Sequence, residues 1–361
     1  MNADFPFSID RTSAVPLVQQ VADGCRNAIV TGDFPVGEMI PSLGAMAAGL
    51  GVSLKVVRSA YERLSREGWL LPRNGIGYLA KNSGVPVWKG SALLVYDNNS
   101  YSMRTNADAL QKGLERRGYL VDCVKVDKFR RERSHDLERL KARLFKRYDM
   151  AFTYAVSAEI AELLGSLKCP VFATSRNAWR YKGLTGIRLE DSSAYEALIR
   201  ICKSEGVKSI ELVDFHGAYS DLDERLRSCG FRVGSVITPY DNREDAFFAS
   251  IRRGARDLFR KRIRHDRKHL PDLFLFLDDY VLTGALAAFS ESGIRIPEDL
   301  KLVTVCNRGN EPCWAKELSS LSHDQRRLGE SVAELMADWI EGSRRPLKLD
   351  AAVEFVRGAT F

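Results

Sequence analysis

Residues 51–80 read GVSLKVVRSAYERLSREGWLLPRNGIGYLA. Gly51 suits a turn, and Ser53 offers a side-chain oxygen to the free amides that open a helix. The helix runs to about Glu67, where Gly68 breaks it, and it places Val57, Tyr61 and Leu64 on one face. WLLPRNGIGYLA then reads as strand, turn and strand, with Gly75 and Gly77 in the turn. Two helices precede Gly51. One covers Leu43 to Leu50; the other runs from about Leu17 to Thr31, with Leu17, Val21, Cys25, Ala28 and Ile29 inward and Gly32 as its stop. Three helices followed by a hairpin make a winged helix-turn-helix over about residues 10–80. The first turn of the third helix can enter a major groove, with the hairpin beside the phosphates or in the minor groove. Leu54, Lys55 and Val56 occupy that turn.

Outward from this block the texture changes. KNSGVPVWKG (81–90) has two glycines, a proline and no periodicity, so it reads as a linker. From Ser91 strands and helices alternate to the C-terminus. ALLVY, LVDCVKV, MAFTYAV, VFATS, SIELVDF, RVGSVIT, LFLFL and KLVTVCN read as strands. Helices are expected at about Thr105–Arg117, Ser134–Arg147, Tyr195–Glu205, Leu222–Cys229, Leu282–Ser292 and Arg327–Glu341. Such alternation implies parallel sheets flanked by helices, in two sub-units of similar size.

The 361 residues are 45% apolar and 28% charged, as in a soluble globular protein. No apolar run approaches the ~20 residues of a membrane span. MNADFPFSIDRT has no basic segment followed by an apolar one, so no signal peptide is expected. Seven scattered cysteines, none spaced C-x-x-C, suggest reduced thiols, a cytoplasmic location and no metal site. The net charge of +7 is unevenly spread. Residues 1–90 hold nine Lys/Arg against seven Asp/Glu, whereas RRGARDLFRKRIRHDRKH (252–269) holds nine against two. Phe247, Phe248, Ile251, Ala255, Leu258, Phe259 and Ile263 recur at helical spacing there. The region reads as an amphipathic helix with a solvated basic face; a nucleic-acid contact is the other reading.

Residues 16–80 resemble the GntR-type winged helix. PLVQQVADGCRNAIVTGDFPVGEMIPS, GLGVS and VRSAYERLSREGWLLPRNGIGYLA carry the resemblance, in the family's order and without gaps. It implies DNA contacts from Ser42, Ser53, Leu54, Lys55, Val56, Arg58, Arg73, Gly75 and Gly77. Four positions depart from it. Gly44 stands where the family usually has an arginine, Leu54 replaces the arginine after the helix-capping serine, and Ile76 and Tyr78 replace polar wing residues. Leu54 and Val56 cannot hydrogen-bond to base edges, but each can pack on a thymine methyl.

Residues 91–361 resemble the LacI/GalR-type effector domain, which has the two-lobed α/β periplasmic-binding-protein-like (type I) fold. LPDLFLFLDDYVLTGALAAFSESGIRIPEDLKLVTV (270–305), LSSLSHDQRRLGESVAELMADWIEG (318–342) and LDAAVEFVRGAT (349–360) carry it. The resemblance implies one lobe at 91–190 and 322–342, another at 193–318 and 345–361, and a ligand in the cleft. Sugar pockets of this kind use carboxylates, amides and aromatic faces. The candidates past strand ends are Asp97, Tyr101, Tyr154, Arg176, Trp179, Asp279 and Asn307. For Asp279 the rival role is a helix N-cap.

No G-x-S-x-G, H-E-x-x-H or G-x-x-x-x-G-K occurs, and the five histidines show no catalytic spacing, so no enzyme activity and no cofactor are expected. A GntR-type reader joined to a LacI/GalR-type sensor is the arrangement of the arabinose-type repressors. The resemblance implies a homodimeric, ligand-responsive regulator, with a palindromic operator in double-stranded DNA and a small effector, a sugar by preference. The sign expected is repression of carbohydrate-utilisation genes, with no membrane partner. The alternative is a cytoplasmic sugar-binding protein whose winged helix serves protein contacts.

Overall fold

Tyr61 organises the N-terminal domain. Its ring is fully buried, its hydroxyl donates to the Pro41 carbonyl over 2.8 Å, and its edge meets Tyr78 at 5.0 Å. One side chain thus joins the third helix to the connector before it and to the hairpin after it. The computed structural model describes residues 5–73, 75–81, 88–96, 101–126, 134–154, 157–174, 181–215, 220–241 and 247–361, without the side chains of 101, 134, 135, 192 and 220. The N-terminal helices are α1 (Leu17–Val30), α2 (Leu43–Leu50) and α3 (Leu54–Arg66), and the antiparallel hairpin is β1 (Leu70–Arg73) with β2 (Gly77–Ala80). Val21, Cys25, Ile29, Met46, Val57 and Leu64 complete the core. Burying each such side chain contributes about 1.5–3 kcal/mol. Gly51 ends α2 in the left-handed region (φ 66°), which a glycine adopts without strain.

The chain forms two compact units. The first contains the N-terminal domain and a five-stranded parallel sheet in the order β4-β3-β5-β6-β7. Its strands are β3 (Gly90–Tyr96), β4 (Tyr119–Lys125), β5 (Met150–Thr153), β6 (Val171–Ala173) and β7 (Leu184–Gly186). Its helices are α4 (Tyr101–Arg116), α5 (Ser134–Lys141), α6 (Ala158–Leu164) and most of α11 (Gln325–Ile340), which returns late in the chain. Arg117 ties α4 to α11 through Asp338 (2.8 Å) and Glu341 (2.6 Å).

Helix α5 is shorter than the expected Ser134–Arg147. It ends at Lys141, and residues 142–145 continue as tight turns, with the Arg143 amide on the Leu140 carbonyl (2.9 Å) and the Leu144 amide on the Lys141 carbonyl (3.1 Å). Ser8 donates its amide to the Phe145 carbonyl (3.0 Å), and Phe7 forms an antiparallel bridge with Lys146. Phe7 itself lies over Gly24 of α1. Tertiary pairing with this N-terminal arm overrides local helix propensity at residues 142–147.

The second unit is a six-stranded sheet in the order β10-β9-β11-β12-β13-β15. Its strands are β9 (Ser209–Asp214), β10 (Arg232–Ile237), β11 (Leu273–Phe276), β12 (Lys301–Asn307), β13 (Ser319–His323) and β15 (Val353–Val356). The first five run parallel, and β15 runs antiparallel to β13. A two-stranded sheet pairs β8 (Arg188–Glu190) with β14 (Lys348–Asp350). The helices are α7 (Ser192–Ser204), α8 (Ser220–Ser228), α9 (Phe247–Asp266) and α10 (Asp279–Glu291). Phe259, Phe274, Phe276 and Phe289 are fully buried, with ring centroids within 6.5 Å of one another. They lock α9 and α10 to the sheet. The C-terminal segment forms two strands, β14 and β15, because Asp350 accepts from the Ala352 amide (2.7 Å) and Ala352 adopts φ 53°.

Candidate DNA-reading surface and ligand-binding edge

The first turn of α3 is built to be exposed. Ser53 caps it by accepting from the Val56 amide (3.3 Å), and Ser42 caps α2 by accepting from Ala45 (3.2 Å). With Val57, Ala60, Tyr61 and Leu64 inward, Leu54, Lys55 and Arg58 stand in solvent, Leu54 at 47% exposure. Val56 does not stand with them: it is half-buried and packs against the domain core. Arg73, Gly75 and Ile76 are exposed at the wing, Ile76 at 73%, and Gly77 is half-buried. Gly75 (φ 75°) and Gly77 (φ 142°) take backbone angles that favour glycine, so the turn depends on both. The Tyr61–Tyr78 contact fixes the hairpin on α3.

At the other end of α3, Glu67 joins Arg63 (2.8 Å) and Arg26 (2.6 Å). Its hydrogen bonds from Arg63 and then Arg26 hold the carboxyl below its ordinary range. That network binds α1 to α3 away from the exposed turn.

In the second unit the parallel strands deliver polar side chains to one edge, where α/β sheets bind ligands. Asp214 closes β9, and its carbonyl accepts from the Thr238 amide just past β10 (2.7 Å). Both residues are buried, and the Thr238 hydroxyl has no hydrogen-bond partner among the described residues. Leu277 bonds the Val213 carbonyl (2.9 Å) and leads into Asp278 and Asp279. Asp278 is the N-cap of α10, accepting from Tyr280 (2.9 Å) and Val281 (3.1 Å). Burial, then the charge of Asp279, pushes its carboxyl up to about 7. Burial pushes Asp279 up to about 6. Asn307 ends β12, and its Oδ1 accepts from Gln325 Nε2 (3.0 Å). Next to Asn307 in the sheet is His323, whose burial lowers its pKa.

Aromatic rings adjoin these polar strand ends. Phe215 follows Asp214 and meets Tyr240 at 5.5 Å; Tyr280 follows Asp279 and stacks on Phe248 at 4.3 Å and 24°. In the first unit Tyr154 follows β5. Its ring sits edge-on to Phe152 at 4.5 Å, and its buried hydroxyl has no partner among the described residues. Burial raises the Tyr154 pKa well above that of a free phenol.

Of the sequence-predicted ligand residues, Asp279 and Asn307 thus share one edge. Tyr154 lies in the other unit. Asp97, Arg176 and Trp179 lie outside the described residues, as does the Tyr101 side chain, although Tyr101 begins α4. Sequence reasoning missed Asp214, Thr238, Phe215, Tyr240 and Tyr280. The signal was available: each stands at a strand end or within four residues of one.

Comparison with known proteins agrees with the two-domain fold. Residues 17–79 match the family described as bacterial regulatory proteins, gntR family, and residues 200–361 match the periplasmic binding protein-like domain. An uncharacterized HTH-type transcriptional regulator of Rhizobium meliloti (strain 1021) is 39% identical over 69 residues, 19% of this chain and 28% of the relative. The HTH-type transcriptional repressor PurR of Yersinia enterocolitica is 28% identical over 78 residues, 22% of this chain and 23% of the relative. The chain therefore spans about a quarter of the length of the curated relatives it matches. Among solved structures, a LacI family transcriptional regulator from Arthrobacter sp. FB24 in complex with lactose superposes with a TM-score of 0.59 at 17% identity, covering 75% of this chain and 98% of that one. The LacI family regulator CCPA from Weissella paramesenteroides, with bound glucose, gives 0.56 at 14%, covering 75% and 97%. At these identities the likeness is one of fold. The chain joins an N-terminal helix-turn-helix domain of the gntR type to a C-terminal periplasmic-binding-protein-like domain.

Proposed function

We propose that the protein is a ligand-responsive, sequence-specific DNA-binding transcriptional regulator that represses carbohydrate-utilisation genes. Residues 10–80 read DNA, 81–90 link, and 91–361 sense the effector. The observation that carries this reading is the first turn of α3: capped by Ser53, backed by a fully buried face, and presenting Leu54, Lys55 and Arg58 to solvent beside a fixed wing. A sugar-like effector suits Asp279, since a half-buried carboxylate accepts from hydroxyls, and the rings of Tyr280 and Phe215 adjoin Asp279 and Asp214 at strand ends of the same sheet. The effector would bind in the cleft of the periplasmic-binding-protein fold, in a cytoplasmic homodimer whose two heads read a palindrome. Its effect on DNA affinity requires different affinities for two conformations.

The test has two parts. A thermal-shift panel of mono- and disaccharides identifies ligands, because a specific ligand stabilises by mass action. Enrichment of bound duplexes from a random library then identifies the operator; the reading expects a palindrome, and no enrichment at low salt would refute it.

One observation favours a second reading. Val15, Val36, Met39, Leu54, Leu71 and Ile76 are exposed apolar residues of the N-terminal domain. Such surface also suits protein contacts, and a head that binds no duplex would leave that role.

A further inference from the structure

Helix α9 carries the chain's densest positive charge, and the fold does not use all of it. Its inner face, with Ile251, Ala255, Phe259 and Ile263, is buried. Several of its cations have structural partners. Arg262 pairs with buried Glu211, Arg260 with Glu291, and Arg256 with Asp257 (3.5 Å). Just past the helix, Arg267 reaches Asp299 (3.9 Å) and the Ser292 and Gly293 carbonyls. Arg252 lies over the Tyr280 ring (5.7 Å).

Lys261, Arg264 and Lys268 differ. All three are exposed, and none has a carboxylate within ion-pair distance among the described residues. Lys261 and Arg264 are three residues apart and share one face of α9; Lys268 stands in the short turn that follows the helix. Lys261 and Arg264, with Arg260, His265 and Asp257, line an open groove of about 260 Å³.

We infer that this stripe binds the phosphate backbone of double-stranded DNA, as a second, sequence-independent contact in addition to that of the reading head. The inference rests on the DNA-binding reading above. Charge decides the partner. The first 90 residues hold nine basic against seven acidic residues, too little excess to draw a polyanion strongly. Residues 252–269 hold nine against two. DNA presents about one negative charge per 1.7 Å of axis, so even one helical turn of basic surface, about 5 Å, faces more than one phosphate. Arg and Lys on a regular helix meet phosphates without reading bases.

The test is fluorescence anisotropy of the full chain on a random-sequence duplex, titrated with salt. Three variants are compared with the parent. K261Q/R264Q/K268Q removes the stripe, K55Q/R58Q disables the head, and K112Q/K141Q/K208Q removes equal charge from other exposed lysines. Gln is a good helix former, so α9 should persist, which circular dichroism checks. If the stripe binds phosphates, its variant lowers the slope of log affinity against log salt by about 0.9 per contact, up to about 2.7. The control variant leaves the slope nearly unchanged, and the head variant retains the stripe's share. Binding by the parent with an unchanged slope in the stripe variant would overturn the inference and leave the head reading intact; an acidic protein would then be the stripe's partner. Absence of any DNA binding by the parent would remove both.

Discussion

Asp278 caps helix α10, and Asp279, which follows it, does not. The cap oxygen accepts from Tyr280 and Val281, so the structural role available to the acid pair is taken by the first member. Asp279 is left as a largely buried carboxyl with its pKa raised to about 6, beside a neighbour raised to about 7. The two should separate by mutation. Asp278→Ala removes a cap and lowers stability by about 1 kcal/mol. Asp279→Asn should leave the fold intact and weaken effector binding at least tenfold, measured by calorimetry with the ligand found in the panel. Equal loss of stability in both variants would contradict the division.

The same pair sets a pH dependence. Both folded-state pKa values lie above the ordinary 3.8. Their contribution to stability is therefore full below about pH 4 and fades as pH rises through about 6 and 7. His323 has the opposite sign, since its pKa is lowered: its contribution is present above its unfolded pKa and fades as pH falls through the lowered value. The difference between parent and Asp279→Asn cancels the histidine. As pH rises from 5 to 8 the parent should lose stability relative to Asp279→Asn, by an amount equivalent to about 1–2 kcal/mol, read from the two melting temperatures.

Leu54 tests the reading head. It is exposed where an arginine would meet phosphate or guanine. Leu54→Arg should strengthen non-specific DNA binding and steepen its salt slope by about 1. An unchanged salt titration would mean that the residue does not face DNA.

Tyr61→Phe leaves the Pro41 carbonyl without its donor and loosens the connector. A loss of about 1–2 kcal/mol is expected, read as a lower melting temperature. Because the Tyr61 ring also holds Tyr78, Tyr61→Ala should cost about 3–5 kcal/mol and abolish DNA binding.

Close packing of α9 and α10 gives another test. A side chain at Gly284 would collide with the Arg252 carbonyl. Gly284→Val should destabilise the second unit by several kcal/mol or prevent its folding, whereas Gly44→Ala, with open space around it, should fold normally.

Much of this was legible in the sequence. The helix Leu43–Leu50 was read to the residue, and the third helix to within one, because Ser42, Gly51, Ser53 and Gly68 punctuate them chemically. Ala158–Leu164 was missed because a short apolar run cannot declare its period. Ser319–His323 was missed as a strand because its serines give no β signal; burial in the sheet decides it. The end of α5 depends on Phe7 and Ser8, well over a hundred residues away, which no local pattern reports. At the ligand edge, Asp279 and Asn307 were named from resemblance. Thr238 stands just past a strand end, which the sequence offered, but its unsatisfied buried hydroxyl is a property of three-dimensional packing.

The most direct measurement is the affinity of the full chain for its enriched duplex, by anisotropy, with and without the stabilising sugar. The account predicts a palindrome bound by two chains, an affinity that the sugar changes at least fivefold, and loss of specific binding in K55Q/R58Q. Specific binding indifferent to every ligand of the panel, or no specific duplex at all, would contradict it.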